Sequence, residues 1–403
     1  MHNVRYNKSI SIKDSMNINK SIVILGSTGS VGKQTADVAE YFGVKVKAIA
    51  AGKNIKVLEE QIRKFSPEYC AVTDQNAAKN LKIAVADTSC KILDGYDSVC
   101  QIAGSVECDI VFNSVSGKNG LLPTVSALKS GRTVALANKE SMVCAGDIVN
   151  DIARKCGGKL LPVDSEHCAI HQCLCNGRKD EVKRILLTAS GGPFFGYTAE
   201  MLDNVTLKDA LAHPTWNMGS KITIDSASLA NKGLEIIEAM KLFDVECDQI
   251  DVIIHRQSII HSMVEYKDNS VIAQLGVPDM RYPAKYALMY PQRVSGVVDP
   301  IDFCSLSSLT FDAPNEEVFK MLPLAKQAAK QGGVMPCAYN AANEIAVGLF
   351  LEEKIGFTDI YRIVNSVIGE CKNIQAPTLD DILQTDSLVR NLALDLYNRK
   401  AWY

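Results

Sequence analysis

Residues 21–32 read SIVILGSTGSVG, a β-branched apolar run that meets Gly26, Gly29 and Gly32 and then gives way to a helical pattern through about Phe42. The order is strand, phosphate turn, helix. Glycines at such a turn let the backbone approach a pyrophosphate, and the helix N-terminus that follows aims free N–H groups at the anion. The first two glycines sit one residue further apart than in the usual dinucleotide fingerprint, which leaves the chemistry intact. The competing reading is a glycine turn used only for tight packing.

Outward from this turn, short apolar runs recur at Val44–Ala50, Tyr69–Val72, Asp109–Phe112 and Thr133–Leu136, with candidate helices between them. That alternation predicts an α/β architecture: a parallel sheet with helices on both faces, and so a Rossmann-like N-terminal domain over 21–158. Residues 1–20, polar and mixed in charge, are expected to form a disordered extension. From Lys159 the rhythm changes, which predicts a central α/β catalytic domain over 159–300 with further strands at VKRILLTASGG, Asp251–Ile254, Ile260–Tyr266 and Val271–Leu275. Within it, residues 191–220 are rich in glycine and proline and are expected to be a long lid loop. A linker at 301–315 leads to a C-terminal helical bundle over 316–403, with amphipathic stretches at Glu316–Gln331, Cys337–Glu352, Phe357–Cys371 and Leu379–Tyr397. No convergent catalytic residue types mark that bundle, so its expected role is structural support.

Composition narrows the partners. At 403 residues the chain is long enough for two or three domains. A formal charge of −3 with well-mixed signs shows neither the basic stripe of a nucleic-acid binder nor an acidic tail, so small molecules are the expected ligands. The 13 cysteines contain no C-x-x-C pair and read as reduced thiols of a cytoplasmic protein. No apolar run reaches the roughly 18 residues of a membrane helix.

Cofactor choice is written after the second strand, at Ala50-Ala51-Gly52-Lys53-Asn54. No carboxylate stands there to bind a ribose 2′-hydroxyl, and Lys53 can attract a phosphate. NADP is therefore favoured over NAD, the alternative for Lys53 being a solvated surface lysine.

The densest polar stretch is HPTWNMGSKITIDSASLANKGLE at 213–235. A helix expected over Ser226–Leu242 places Asn231 and Lys232 four and three residues before Glu235, on adjoining faces, and begins at Asp225-Ser226, where a phosphate could be held. His213 and Trp216 lie in the lid, where an indole is costly unless it covers a ligand or a neighbouring core. Asp164 and Glu166, two residues apart, project to one side if the chain stays extended, a hard oxygen set suited to Mg²⁺ or Mn²⁺. Asp164 or Ser165 capping a helix explains the same string equally well. His167, His171, His255 and His261 read as structural histidines.

These strings, together with AGKN at 51–54, ANKES at 137–141, VDSEH at 163–167, ASGGPF at 189–194 and LGVPDMRYP at 275–283, resemble the 1-deoxy-D-xylulose 5-phosphate reductoisomerase family. The resemblance implies NADPH and divalent-metal dependence and a homodimer. It implies that Asp164, Glu166 and Glu235 bind the metal with Ser165 beside it on the substrate, that Ser190, Ser226, Asn231 and Lys232 hold the substrate phosphate with His213 assisting from the lid, and that Trp216 covers the substrate's carbon backbone. Cofactor contacts would fall to Thr28, Gly29, Ser30, Val31, Gly52, Lys53, Asn54, Asn138 and Glu140, with Lys139 near the substrate. The implied catalytic set is Lys139, Asp164, Glu166, His213 and Glu235. The chain departs from the family pattern at Arg256 in His255-Arg256-Gln257-Ser258 and at Ala189 before Ser190. A simple NADPH dehydrogenase or a silent NADPH sensor would not need three convergent carboxylates.

Overall fold

A computed structural model describes residues 19–402 apart from Asn176 and Asn217, so most of the expected N-terminal extension lies outside the described residues. Seven strands, β1 (Ser21–Leu25), β2 (Lys45–Ala51), β3 (Tyr69–Val72), β4 (Lys91–Asp94), β5 (Ile110–Asn113), β6 (Thr133–Leu136) and β7 (Lys159–Pro162), form one parallel sheet in the order β4-β3-β2-β1-β5-β6-β7. The central strands are buried on both faces, which is why they read as continuous apolar runs rather than alternating ones. The order reverses between β1 and β5, the crevice in which open α/β sheets take their ligands.

Two glycines of the first turn are required there. Gly26 has φ +79°, and a Cβ on it would lie 2.6 Å from the Ser114 carbonyl oxygen at the end of β5. A Cβ on Gly32 would lie 2.1 Å from the Gly26 carbonyl oxygen, so this glycine lets the helix Ser30–Phe42 close onto the strand.

The strand β4 (KILD) escaped the periodicity reading because it is a four-residue edge strand with charged ends. The strand β7 corrects the expected break at 158: it pairs with β6, so that boundary cuts a sheet, and the chain leaves the sheet only after Pro162. An apolar tetrad does not reveal which sheet it will join.

The remaining strands, β8 (Val182–Ala189), β9 (Ile250–Ile254), β10 (Ile260–Tyr266) and β11 (Val271–Leu275), make a second sheet in the order β11-β10-β8-β9. Only β8 and β9 are parallel. The helix Ser165–Leu174 packs across β10 and β11.

Residues 191–220 are not one long loop. Short helices at Ala199–Leu202 and Leu207–Ala210, capped by Thr198 and Thr206, break the stretch, and Phe194, Leu202 and Ala210 anchor it in the core. The helix expected over Ser226–Leu242 is likewise two, Ser220–Ala227 and Ala230–Phe243, separated by Leu229 at φ +60°. A buried leucine in the left-handed region is rare and follows from packing, not from any local breaker. Ser226 therefore closes one helix instead of opening another.

The C-terminal helices Met321–Gln331, Met335–Leu351, Phe357–Glu370 and Leu379–Arg399 share a single apolar core with β8, β9 and the helix Ala230–Phe243. At their closest, a Cβ on Gly233 would lie 2.4 Å from the Ala325 Cβ. No helix among the described residues is long and apolar enough to cross a membrane.

Candidate functional site

The carboxylates converge by a route that spacing did not foresee. Asp164 caps the helix Ser165–Leu174, accepting from the Glu166 N–H at 3.2 Å, so the residues are not extended as the two-residue alternation assumed. Glu235 arrives from the helix Ala230–Phe243. Oxygens of Asp164, Glu166 and Glu235 all lie within 4.8 Å of one another. Cap and ligand thus prove compatible: the cap turns Asp164 toward the start of its helix, where Glu166 already points.

Two lysines neutralise the cluster. Lys139 Nζ is 2.7 Å from Asp164 Oδ2, 3.0 Å from Glu235 Oε1 and 2.7 Å from Asn231 Oδ1. Lys232 Nζ pairs with Glu235 on its own helix and approaches Glu166 Oε1 at 3.3 Å. Burial works against the charge on Lys139, but Asp164, Glu235 and Glu238 hold its pKa well above the usual lysine value. Burial also disfavours charged Asp164, yet Lys139 and His167 keep that carboxyl well below its ordinary range. Glu166 is pushed up to about 7 by burial, with Lys232 opposing and Glu235 and Asp164 adding to the rise. Carboxylate oxygens gathered in this number are the hard donors that suit Mg²⁺ or Mn²⁺.

Behind this cluster stand His167, read from the sequence as a structural histidine, and Glu238, which that reading passed over. His167 Nδ1 is 3.2 Å from Asp164 Oδ1 and 3.4 Å from Glu238 Oε2, while Nε2 meets the Glu235 carbonyl at 2.9 Å. Both side chains are fully buried. The only available signal was spacing, His167 three residues after Asp164 and Glu238 three after Glu235.

On the opposite wall, His213 Nε2 lies 3.1 Å from Ser190 Oγ and 3.2 Å from Ser226 Oγ. Its Nδ1 accepts from the N–H groups of Thr215 and Trp216, which assigns the ring proton to Nε2. Burial, with Arg256 nearby, lowers the His213 pKa to about 4. A neutral imidazole donor and two hydroxyls thus gather at one place in the cavity, while Asn231 and Lys232, which line it too, engage the carboxylates. Trp216 packs at 6.2 Å from the His261 ring. Arg256, the departure noted above, stacks on Phe195 at 4.8 Å and touches none of the three carboxylates.

A cavity of about 560 Å³ joins these walls: Lys139, Asp164, Ser165, Glu166, Ser190, His213, Trp216, Ser226, Asn231, Lys232 and Glu235 line it together with Ser30 and Val31 of the first turn. The helix Ser30–Phe42 has no side-chain cap, so its leading N–H groups remain for an anion. Thr28 and Gly29 lie in the turn itself, and Gly52, Lys53 and Asn54 follow β2, Asn54 capping the helix Ile55–Phe65. None of these five lines the cavity, nor do Asn138 and Glu140. Asn138 is buried, and its amide donates to the Val115 and Gly117 carbonyls and to Glu140. Sequence reading missed Gln34, Asp37 and the segment Pro278–Arg281, which complete the wall beside the turn because the helix Arg281–Met289 packs on Ser30–Phe42.

Three family descriptions match the chain: "1-deoxy-D-xylulose 5-phosphate reductoisomerase" over residues 22–146, its C-terminal domain over 160–243, and "DXP reductoisomerase C-terminal domain" over 275–392. The 1-deoxy-D-xylulose 5-phosphate reductoisomerase of Acetivibrio thermocellus is 50% identical over 375 residues, 93% of this chain and 98% of that protein. The Agathobacter rectalis enzyme of the same name is 48% identical, covering 91% and 97%. Among solved structures, the Zymomonas mobilis reductoisomerase in complex with NADPH is 40% identical with a TM-score of 0.88, covering 94% of this chain and 99% of that one. A DOX-P reductoisomerase in complex with NADPH, fosmidomycin and magnesium is 38% identical with a TM-score of 0.88, covering 94% and 98%.

Proposed function

Because the chain belongs to the 1-deoxy-D-xylulose 5-phosphate reductoisomerase family, we propose that this cavity is where it rearranges and reduces 1-deoxy-D-xylulose 5-phosphate to 2-C-methyl-D-erythritol 4-phosphate. It is an NADP-dependent oxidoreductase that uses NADPH and a divalent metal. The observation that carries the assignment of roles is the convergence of Asp164, Glu166 and Glu235 within 4.8 Å in the cavity that His213, Ser190 and Ser226 also line.

Asp164, Glu166 and Glu235 would hold the cation, with Ser165 beside them. When bound, the cation supplies Lewis acidity at the ketone and hydroxyl oxygens, and NADPH supplies the hydride. The chain's own side chains orient and enclose. Ser190, Ser226, Asn231 and Lys232 grip the phosphate, remote from the reacting carbons, so its binding energy fixes their position. His213, neutral with its proton on Nε2, donates a hydrogen bond to the same group. Trp216 covers the carbon chain and excludes water when residues 191–220 close. Lys139 offers an ammonium beside the oxygens at which charge develops. Thr28, Gly29, Ser30, Val31, Gly52, Lys53, Asn54, Asn138 and Glu140 are the cofactor side. The helix Ser30–Phe42, whose N-terminus carries no side-chain cap and whose Ser30 and Val31 line the cavity, supports this reading.

The test is NADPH oxidation followed at its absorbance with substrate and Mg²⁺, repeated with chelator and with Glu235→Gln. Loss in both arms is expected; oxidation undiminished in Glu235→Gln overturns the assignment of the metal site.

We read the chain further as a homodimer. The strand β11 ends its sheet with Val271 and Ile272 about half exposed, an apolar edge of the kind proteins usually cover. Light scattering should give the mass of two chains for the native protein and of one for Ile272→Lys; a native monomer defeats the reading. The absence of disulfides among 13 cysteines is in keeping with a cytoplasmic location.

A further inference from the structure

We infer that Lys221 and Asn343 are positioning residues that tie the lid and the C-terminal helices to the cofactor side of the site, an inference that rests on the proposed cofactor role of Asn138 and Glu140. Lys221 stands in the first turn of the helix Ser220–Ala227, two residues after the cavity-lining Gly219 at the end of the lid. Its ammonium bridges two elements. It lies 2.9 Å from Asp225 Oδ2 on its own helix and 3.4 Å from Glu140 Oε1 on the helix Lys139–Cys156. Glu140 Oε2 in turn accepts from Asn138 at 2.9 Å.

The far end of the chain of contacts is fixed in the C-terminal helices. Asn343, fully buried on Met335–Leu351, donates to Asp225 Oδ1 at 2.7 Å, and its own carbonyl oxygen has no partner. Apolar residues of similar shape can replace both members of a buried polar pair at little net cost. A pair kept in the core with one acceptor unpaired points to a use other than stability.

A second arm from the same helices reaches the same place. Arg390 joins Glu344 at 2.6 Å and Asp386 at 2.9 Å, and Asp386 holds Lys118 at 2.6 Å. Glu344 packs on Gly117, where a Cβ would lie 3.0 Å from its Oε1. The Gly117 carbonyl accepts from Asn138 at 2.8 Å. Both arms thus end on the Asn138–Glu140 corner. Motion of the lid that displaces Lys221 withdraws the counter-charge of Glu140, so lid position and cofactor affinity are linked through one ammonium group.

The experiment measures NADPH dissociation by nicotinamide fluorescence, and KM for each substrate, in the full chain. Native protein is compared with Lys221→Met, Lys221→Arg, Asn343→Leu and Glu140→Gln, with thermal unfolding alongside. Lys221→Met and Asn343→Leu should each weaken NADPH about tenfold, within the usual span of couplings between sites. The sugar-phosphate KM should hold, and Lys221→Arg should restore most of the loss. Unchanged NADPH affinity in Lys221→Met, or equal weakening of both substrates, overturns the inference. Should Asn343→Leu fail to fold, the partly exposed Lys221 decides alone. If Glu140→Gln leaves NADPH binding untouched, the cofactor assignment itself fails; if only Glu140→Gln weakens it, the coupling fails and the assignment stands.

Discussion

Lys139 Nζ lies 2.7 Å from Asp164 Oδ2 and 3.0 Å from Glu235 Oε1, so an ammonium group already engages two of the carboxylates proposed to hold the divalent cation. Attraction of either cation is weakened by the other. In Lys139→Met, Mn²⁺ affinity by titration calorimetry should therefore equal or exceed that of the native protein. Turnover should still fall by about 10²-fold or more, as when a preorganised charge-stabilising donor is removed. Weaker Mn²⁺ binding in the variant would show that the lysine supports the metal site instead of competing for it.

Glu238 does not line the cavity of the carboxylates, yet it backs them through His167, 3.4 Å away, which stands 3.2 Å from Asp164. Groups that orient a metal ligand from behind are commonly worth about 10- to 100-fold in metal affinity. Glu238→Leu should lose that much Mn²⁺ affinity with far-ultraviolet circular dichroism unchanged. Native-like affinity in a folded Glu238→Leu would mean that the pair only fills the core.

His213 carries the clearest pH signature. Its pKa, lowered to about 4 from the ordinary 6.5 chiefly by burial, means that the folded protein disfavours the protonated ring. Its contribution to stability is thus fully present above about pH 6.5 and is lost as pH falls toward 4. Nuclear magnetic resonance titration of the His213 ring should give a midpoint near 4 in the free protein and a higher one with inorganic phosphate bound. A free-protein midpoint near 6.5 contradicts the burial seen here.

Gly26→Ala places a methyl 2.6 Å from the Ser114 carbonyl and holds alanine at φ +79°. Such backbone positions cost about 1–3 kcal/mol for a residue other than glycine. Denaturant unfolding should register that loss, and NADPH binding should weaken more than substrate binding. Alanine tolerated with no change in either would show that the turn is free to relax.

Hydrogen exchange examines the lid. Short helices capped by Thr198 and Thr206 lie inside residues 191–220, and Trp216 sits at the cavity wall. Amides from His213 to Gly219 should gain protection with fosmidomycin, NADPH and Mg²⁺ bound, while the Phe194 anchor changes little. Equal exchange in both states removes the closing motion.

Much of the molecule is legible in residue order because its signals are local. The first turn announces itself through three glycines after an apolar strand, and the last three helices through amphipathic periods that end within two residues of the observed bounds. Asp164 was readable as a cap and as a ligand, and it serves the first while placed for the second. The errors share a cause. The strand β7 joins the first sheet, and Leu229 divides one expected helix into two, because of what packs against them and not because of anything in their neighbours along the chain.

Residue order alone thus determined the strand-turn-helix at the first glycines, the α/β rhythm and the preference for a phosphorylated cofactor, all of which depend on side chains a few positions apart. Tertiary structure alone decided that Asp164, Glu166 and Glu235 meet within 4.8 Å, that Lys139 stands between two of them, and that His167 and Glu238 buttress the first. It also decided that helices with no catalytic residue types reach toward the Asn138–Glu140 corner through Asn343 and Glu344. Charge interactions act through space, and residues 71 positions apart in the chain, such as Asp164 and Glu235, interact only once a shared core has folded them together.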